Sequence, residues 1–376
     1  MKHFVLLLGV LLLWGCHGGN RPAELDEGRW DPAVRSALNG LVAAQGGKDA
    51  YAVFDFDKTT IVHDIAQALW VYQVEHLRYA DAPAHAFMDG IADPSHQLRS
   101  GVTFQQAGQV LQEEYTQLRA LLSDGKTLAQ VHETDLYLDF RARMAGLLSG
   151  MDEAFGSDVT YLWMPGLLSG YTEAEARALV KDAIADQLGE EKLAVEEWIS
   201  PDGQWNASVE RGIWFPPETK DLYNKLSVNG ITPYVCSASL ELIVEVLACD
   251  PELGAGLPPE QVFGLRFIPG EKLTAVFDPS YDQPMKKGKV ACILANMSPS
   301  HGNAEPVLVA GDSNGDVAML TSFEGMLHGL IMDVSRPAES AIGQLAARAR
   351  SENNKGRYLL QPAFATAAGA VNGGGI

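Results

Sequence analysis

Two aspartates stand two residues apart where an apolar run of the sequence ends. Asp55 and Asp57 follow the run "YAVF", and Lys58 and Thr59 come directly behind them. An aspartate can attack phosphorus to form an aspartyl-phosphate, and a neighbouring carboxyl group can transfer the proton. The pair is therefore a candidate for phosphoryl-transfer chemistry, in which one aspartate attacks and its neighbour protonates the leaving group.

Later apolar runs also end in polar residues. The run "TPYVCS" ends at Ser237, "PVLVAGDSNGD" continues into Asp312 and Asp316, and Lys289 opens the helical pattern "GKVACI". Ligands bind at the carboxyl ends of strands in open α/β sheets, so these side chains are expected to converge. Clustered carboxylates repel one another unless a cation compensates them. Oxygen ligands of this kind suit Mg²⁺, which takes further ligands from a substrate phosphate.

The elements that must position these residues form an α/β pattern. Continuous apolarity predicts buried parallel strands in "YAVFDF", "TPYVCS", "PVLVAGDS" and "HGLIMDV", with "QVFGLRF" as a weaker fifth. Helical segments separate most of them, and Asn229-Gly230 supplies a helix stop. This alternation predicts a doubly wound α/β core with a parallel sheet.

A long helical segment separates the first predicted strand from the second. Ile65, Leu69 and Tyr72 recur at helical spacing, and Thr172 to Glu175 matches a capping box. The predicted division is a signal peptide over 1–16, a tether and helix over 17–45, a core over 46–63 and 216–350, a helical cap over 64–215, and a flexible tail over 351–376.

The beginning of the chain and its charge indicate where the protein acts. Lys2 and His3 precede an apolar run too short to span a bilayer, which is typical of a signal sequence. The run ends in "LWGC", which resembles a bacterial lipobox with Cys16 as the lipidated residue; secretion with ordinary cleavage is the alternative. Both interpretations export the protein, and only a lipid anchor would hold it at a membrane. The net charge of −20 argues against a nucleic-acid partner.

Taken in order, "DFDKT", "CSAS", "GKVACI" and "GDSNGD" resemble the four motifs of haloacid-dehalogenase-type phosphatases. The resemblance implies an Mg²⁺-dependent phosphomonoesterase with a small phosphorylated substrate and a cap inserted after the first strand. By this resemblance Asp55 would be the nucleophile, and Asp57 would be the general acid/base, with its backbone carbonyl also touching Mg²⁺. Thr59, Ser237 and Lys289 would bind the phosphate. Asp312 would ligate Mg²⁺, and Asp316 would support the metal site. Lys286 and Lys287 are alternatives to Lys289.

A finer resemblance concerns the substrate. Asp64 lies nine positions after Asp55, where the phosphoserine-phosphatase branch has an acidic residue; it could contact substrate or simply cap a helix. Two further stretches, "DIAQALWVYQ" and "GIWFPPETKDLYNKL", resemble exported bacterial phosphorylcholine phosphatases. Phosphorylcholine is therefore the favoured substrate, with phosphoserine or another small phosphomonoester as the alternative. Aromatic residues of the insert are candidates for a choline cage, although such residues are usually core: Trp70, Tyr72, Tyr115, Tyr161, Trp163, Trp198, Trp205 and Trp214.

Neither aspartate cluster fits a calcium loop, because Thr60 and Val317 stand where the loop needs glycine. A non-catalytic binding protein with the same fold would have no reason to keep both Asp55 and Asp57. Besides Cys16, the cysteines are Cys236, expected to be a small buried hydrophobe, and Cys249 and Cys292, for which a disulfide bridge is an open alternative.

Overall fold

The computed structural model describes residues 23–80, 87, 91, 93–98 and 101–364. The predicted signal sequence, Cys16 and the end of the predicted tail therefore lie outside the described residues. No described helix combines the length and the hydropathy needed to cross a bilayer.

A six-stranded parallel sheet with the order β5-β4-β1-β6-β7-β8 forms the centre of the molecule. Its strands are β1 Ala50–Phe54, β4 Ile231–Leu240, β5 Val262–Leu265, β6 Leu308–Gly311, β7 His328–Asp333 and β8 Tyr358–Pro362. The remaining strands, β2 Ala194–Ile199 and β3 Asn206–Arg211, form a separate antiparallel hairpin. The five strands predicted from apolar runs are all present, and the doubly wound α/β fold is confirmed.

Helices cover both faces of this sheet. They are α1 Pro32–Gln45, α8 Pro217–Val228 and α9 Glu241–Ala248 on one face, and α10 Lys287–Cys292, α11 Val317–Ser322 and α12 Ala341–Ser351 on the other. Successive residues of β1 face opposite sides, so that Ala52 packs in one hydrophobic cluster and Val53 in the other. Burial on both faces explains why the strands are continuously apolar. The α8 helix ends before Asn229 and Gly230, as predicted.

The insert between β1 and β4 has a hydrophobic core of its own. It contains the helices α2 Ile65–His76, α3 Phe104–Ser123, α4 Leu128–His132, α5 Asp135–Phe155, α6 Ser157–Gly166 and α7 Glu173–Gln187, together with the hairpin. The insert was predicted to be helical, but it also contains this hairpin. Trp198 in the hairpin and Trp205 beside it pack into the same core as the helices. The predicted capping box, Thr172 with Glu175, begins α7.

Helix α2 joins the insert to the α/β core. Ile65, Leu69 and Tyr72 pack against the core, as their spacing predicted, while Trp70 and Val74 pack inside the insert. The two connections between the parts also pair with each other, since Val62 and Trp214 exchange backbone hydrogen bonds of 2.8 and 3.3 Å. The insert is thus anchored next to the loop that follows β1.

The predicted tail requires a correction, because residues 358–362 form β8 rather than flexible chain. Tyr358, Leu359 and Leu360 are buried, and β8 pairs in parallel with β7 along its whole length. Its Gln361 side chain accepts a hydrogen bond from the backbone of Asp31, the residue that caps α1. The strand therefore completes the edge of the sheet and holds the first helix in place.

We expect substitution of Gly146 by alanine to destabilise the insert. An added Cβ would lie 2.3 Å from Cε3 of Trp205, a buried ring. The overpacking should lower the free energy of unfolding by about 1–3 kcal/mol, measured by urea denaturation.

The matched control is Gly40→Ala, in helix α1, where an added Cβ meets nothing within 4 Å. This variant should be as stable as the parent or more stable by up to about 1 kcal/mol, because alanine favours helix. Equal stability of the two variants would show that Trp205 does not pack against α5 as described.

Candidate active site

The predicted site residues meet at the carboxyl end of the sheet. A cavity of about 390 Å³ opens there, lined by residues that follow β1, β6 and β7, by Ala238 near the end of β4, and by residues around the starts of α10 and α12. Its lining is Asp55, Asp57, Lys58, Ala238, Met285, Lys286, Lys289, Asp312, Ser313, Asn314, Gly315, Arg336, Pro337, Ser340 and Ile342. The convergence expected from strand order is therefore present.

Lys289 forms the central ion pairs of the site. Its ammonium nitrogen lies 2.6 Å from Oδ1 of Asp55 and 2.6 Å from Oδ1 of Asp316. All three side chains are buried, so these charges depend on one another rather than on water. Lys289, and not its alternatives Lys286 and Lys287, is the lysine that contacts Asp55.

Asp316 uses both of its oxygens within the protein. Oδ2 accepts hydrogen bonds from the backbone of Asp312 and from both the backbone and the hydroxyl of Ser313, at 3.0 to 3.1 Å. The side chain folds back over Gly311, where an added Cβ would lie 2.4 Å from it. Asp316 does not line the cavity. Its contacts hold the loop that carries Asp312 and orient Lys289.

Asp57 accepts hydrogen bonds from two donors outside the "DFDKT" stretch. The backbone nitrogen of Ile65 donates to Oδ1 at 2.7 Å, and the Ser239 hydroxyl donates to Oδ2 at 2.7 Å. Ser237 lies farther from the same oxygen, at 3.5 Å, and accepts a hydrogen bond from the backbone of Ser239. Sequence reasoning singled out Ser237 and missed Ser239, although both belong to the quoted "CSAS" stretch.

Asp312 has a cationic neighbour that the motifs do not include. Arg336, which follows β7, donates from Nη2 to Oδ2 of Asp312 at 2.6 Å. The Thr59 hydroxyl lies 3.4 Å from the other oxygen. Thr59 therefore faces Asp312 and does not line the cavity, and Ser237 is likewise outside its lining. The "DVSRP" stretch contains no pattern that would identify Arg336, because its contact with Asp312 depends on the distance between β7 and β6.

Asp64 caps helix α2. Its Oδ1 accepts a hydrogen bond of 2.9 Å from the backbone nitrogen of Gln67, and its side chain is buried. The N-cap alternative from the sequence is therefore present, and Asp64 is not among the residues that line the cavity. Beside it, Lys58 forms a 2.9 Å ion pair with Glu210 of β3, which links the loop after β1 to the insert.

Burial and mutual repulsion raise the pKa values of the carboxyl groups. Burial is the largest cause for Asp55, whose pKa lies well above its usual value, with the charge of Asp316 next and Lys289 opposing both. Burial, followed by the charge of Asp64, raises the pKa of Asp57 to about 8. Burial also raises the pKa of Asp312, against the effect of Arg336. The cluster thus has an excess of negative charge that a cation would relieve.

The carboxylates also have the geometry of a metal site. Ligand oxygens of Asp55, Asp312 and Asp316 all lie within 4.8 Å of one another, and all three residues are buried. Hard oxygen donors are the ligands that Mg²⁺ prefers. Since Asp316 is already saturated by protein donors, Asp55 and Asp312 are the side chains best placed to bind a metal directly.

With the geometry in place, the chain can be compared with known proteins. It is 28% identical over 332 residues to the phosphorylcholine phosphatase of Pseudomonas aeruginosa, covering 82% of this chain and 80% of that protein. A crystal structure of a conserved protein of unknown function from Anaerococcus prevotii is 29% identical, with a TM-score of 0.77, covering 89% of this chain and 93% of that one. No family model matches the chain.

These findings agree with the motifs. The resemblance to haloacid-dehalogenase-type phosphatases is confirmed, and with it the expectation of a phosphoric monoester hydrolase. The parallel sheet with its motif residues at the carboxyl edge is the fold that this class implies.

We expect Lys289→Met to destabilise the protein strongly at neutral pH. The substitution leaves Asp55 and Asp316 buried without their cation, which costs about 3–5 kcal/mol in the free energy of unfolding. Without the lysine, the folded-state pKa of Asp55 rises further above the unfolded value. The loss should therefore be full at about pH 8 and smaller at about pH 5, where Asp55 takes up a proton.

The measurement is urea denaturation at both pH values with divalent cations chelated. The control is Lys287→Met, two residues away, where the lysine is exposed and the substitution should change stability little. A loss at Lys289 that is the same at both pH values would contradict the charge-compensation argument.

Proposed function

We propose that the protein is an Mg²⁺-dependent phosphomonoesterase that works through a phosphorylated Asp55. The observation that carries the proposal is the placement of Asp55 in the cavity wall, 2.6 Å from Lys289, with Asp57 two residues away and held by Ile65 and Ser239. A nucleophile, a charge-compensating cation and a proton donor thus face one small space.

The residues present fit a magnesium ion. The side chains of Asp55 and Asp312 and the backbone carbonyl of Asp57 would hold it, and Arg336 keeps the Asp312 carboxylate in a fixed orientation. When bound, Mg²⁺ neutralises charge on the transferring phosphoryl group.

In the proposed reaction Asp55 is the nucleophile and Asp57 transfers the protons. A carboxylate oxygen of Asp55 attacks phosphorus while the bond to the leaving oxygen breaks, and Asp57 gives its proton to that oxygen. With a pKa of about 8, Asp57 carries this proton at neutral pH. The Asp57 carboxylate then takes a proton from water, whose oxygen attacks phosphorus. This step releases phosphate and restores Asp55, while Lys289 offsets negative charge near the nucleophile throughout.

Phosphorylcholine is the substrate that the similarity to the Pseudomonas aeruginosa enzyme supports. Most of the aromatic residues that were candidates for a choline cage pack inside the protein. Trp70, Tyr115, Trp163, Trp198 and Trp205 belong to the core of the insert. Among the described residues that line the cavity, none is aromatic. A cage would therefore have to form from residues other than the described lining.

Phosphoserine is the second candidate substrate. The cavity wall contains Lys58, Lys286, Lys289 and Arg336 together with Asp55, Asp57 and Asp312. Because Lys58, Lys289 and Arg336 form ion pairs with carboxylates of the chain, the charges of the described lining do not favour the carboxylate of phosphoserine over the quaternary ammonium of choline. The two candidates share the same phosphoryl chemistry and differ only in the leaving group.

Export as a lipoprotein anchored through Cys16 remains part of the proposal. It is supported by the apolar run and the "LWGC" stretch at the beginning of the chain.

We expect purified protein to release phosphate from small phosphomonoesters only when Mg²⁺ is present. A panel of phosphorylcholine, phosphoserine and p-nitrophenyl phosphate, assayed by phosphate release, distinguishes the two substrate candidates. Asp55→Asn should reduce kcat at least about 1,000-fold, because no other group replaces the nucleophile.

The matched control is Asp333→Asn, at the carboxyl end of β7 but outside the cavity lining. This variant should keep its activity. A folded wild-type protein without turnover on any substrate would favour the non-catalytic binding alternative, and an active Asp55→Asn variant would refute the proposed nucleophile.

Ser239→Ala should lower kcat without a matching change in KM. Loss of the 2.7 Å hydrogen bond leaves Asp57 less well positioned to protonate the leaving oxygen. We expect about a 10-fold loss for alkyl phosphates such as phosphoserine and a smaller loss for p-nitrophenyl phosphate, whose leaving group needs less help from an acid.

Ser239→Thr keeps the hydroxyl group and should restore most of the rate. An equal loss on alkyl and nitrophenyl substrates would mean that Ser239 supports the fold and does not position the acid.

A further inference from the structure

Lys286 lies in the cavity wall directly before helix α10, three residues ahead of Lys289. It is exposed, as is its neighbour Lys287, but Lys287 does not belong to the described lining of the cavity. The backbone carbonyl of Lys286 accepts a hydrogen bond of 3.2 Å from the backbone nitrogen of Lys289. The chain thus places a second lysine beside the one that forms the central ion pairs, at a part of the wall that solvent reaches.

The backbone of Lys286 has a conformation that suits glycine better than lysine. Its φ of 51° and ψ of −117° lie in a region that residues with a side chain rarely adopt. The backbone nitrogen of Met285 donates to the carbonyl of Gln283, and that of Gly288 donates to the carbonyl of Met285, both at 2.7 Å. The Gln283 side chain exchanges hydrogen bonds of 2.9 and 3.1 Å with the backbone of Arg266. Strain that the surrounding structure enforces in this way, at the wall of a cavity, is typical of a functional residue.

A bound phosphate group needs positive charge that the motif residues supply only in part. Thr59 and Ser237, which were expected to bind it, do not belong to the described lining. Lys289 donates to Asp55 and Asp316 at 2.6 Å, so a phosphate would have to share this ammonium group with two carboxylates. The phosphate also brings a charge of about −1.5 to −2 at pH 7 into a site whose carboxyl groups already repel one another. A further cation in the wall would offset this charge.

We propose that Lys286 is a substrate-binding residue whose ammonium group binds an oxygen of the phosphate group, not the leaving group. The inference rests on the proposed phosphatase function and adds to it a phosphate-binding residue outside the "GKVACI" stretch. Because every phosphomonoester presents the same phosphate group, Lys286 contributes equally to the binding of substrates with different leaving groups. An interaction made equally before and during the reaction changes KM and leaves kcat unchanged.

The kinetic test compares Lys286→Met with Lys287→Met on phosphorylcholine, phosphoserine and p-nitrophenyl phosphate. Loss of one charged hydrogen bond at an exposed position should raise KM about 5- to 10-fold on every substrate, with kcat changed less than about 2-fold. Lys286→Arg keeps the charge and should restore most of the affinity, and Lys287→Met should behave as wild type. A KM that rises only for phosphoserine would assign Lys286 to the leaving group and overturn the proposal, as would an unchanged KM.

The binding test measures the Kd of inorganic phosphate on the full chain by titration calorimetry with Mg²⁺ present. Lys286→Met should raise this Kd by the same factor of about 5 to 10 and weaken its dependence on salt. The measurement needs no turnover. Phosphate binding that depends on Lys286 in a protein without activity would support this inference and count against the proposed function. Turnover with the same phosphate Kd in wild type and Lys286→Met, or a wild type that binds no phosphate, would overturn the inference.

Lys286→Gly separates the backbone strain from the charge. Glycine suits the observed φ and ψ, so this variant should unfold at a higher urea concentration than Lys286→Ala. Its KM should nevertheless rise as much as that of Lys286→Met, because both variants lack the ammonium group. A glycine variant with the KM of wild type, or one less stable than Lys286→Ala, would contradict the role and the conformation assigned to this residue.

Discussion

Charge compensation by one buried lysine is the interaction on which the site depends. Lys289 joins Asp55, which follows β1, to Asp316, which precedes α11, and both contacts are 2.6 Å long. Without such a cation, burial and repulsion would favour protonated carboxyl groups that could neither attack phosphorus nor bind a metal. Arg336 provides the same compensation to Asp312 on the other side of the cavity. Lys289 and Arg336 thus oppose the rise in pKa that burial and repulsion cause in Asp55 and Asp312.

The strand order and the position of helix α2 bring these groups together. Strand β1 lies in the middle of the sheet between β4 and β6, so its carboxyl end is within reach of the loops that follow both neighbours. Helix α2 begins directly after the loop that follows β1, and its first residue, Ile65, donates to Asp57 through the backbone. The insert is therefore coupled to Asp57, the proposed acid, and through the Lys58–Glu210 ion pair to the wall of the cavity. Movement of the insert and protonation of the leaving group would depend on the same short segment.

Sequence reasoning could identify the residues that regular structure brings together. Parallel strands end at one edge, so Asp55, Asp57 and Asp312 could be assigned to one site from the sequence alone. It could not identify contacts made across the fold, such as Ser239 with Asp57 or Arg336 with Asp312, because these depend on distances between strands. It also missed β8, whose short apolar run lies beside an Ala/Gly-rich stretch, and the hairpin, whose first strand has a single buried residue, Trp198.

The central claim is that Asp55 becomes phosphorylated during turnover. The most direct measurement mixes the protein with substrate and Mg²⁺, quenches the reaction in acid within the first turnover, and maps the phosphorylated peptide by mass spectrometry. The account predicts a phosphoryl group on the peptide that contains Asp55, attached to that carboxylate and lost on treatment with base. Turnover accompanied by a phosphoryl group on another residue, or by none at any quench time, would contradict it.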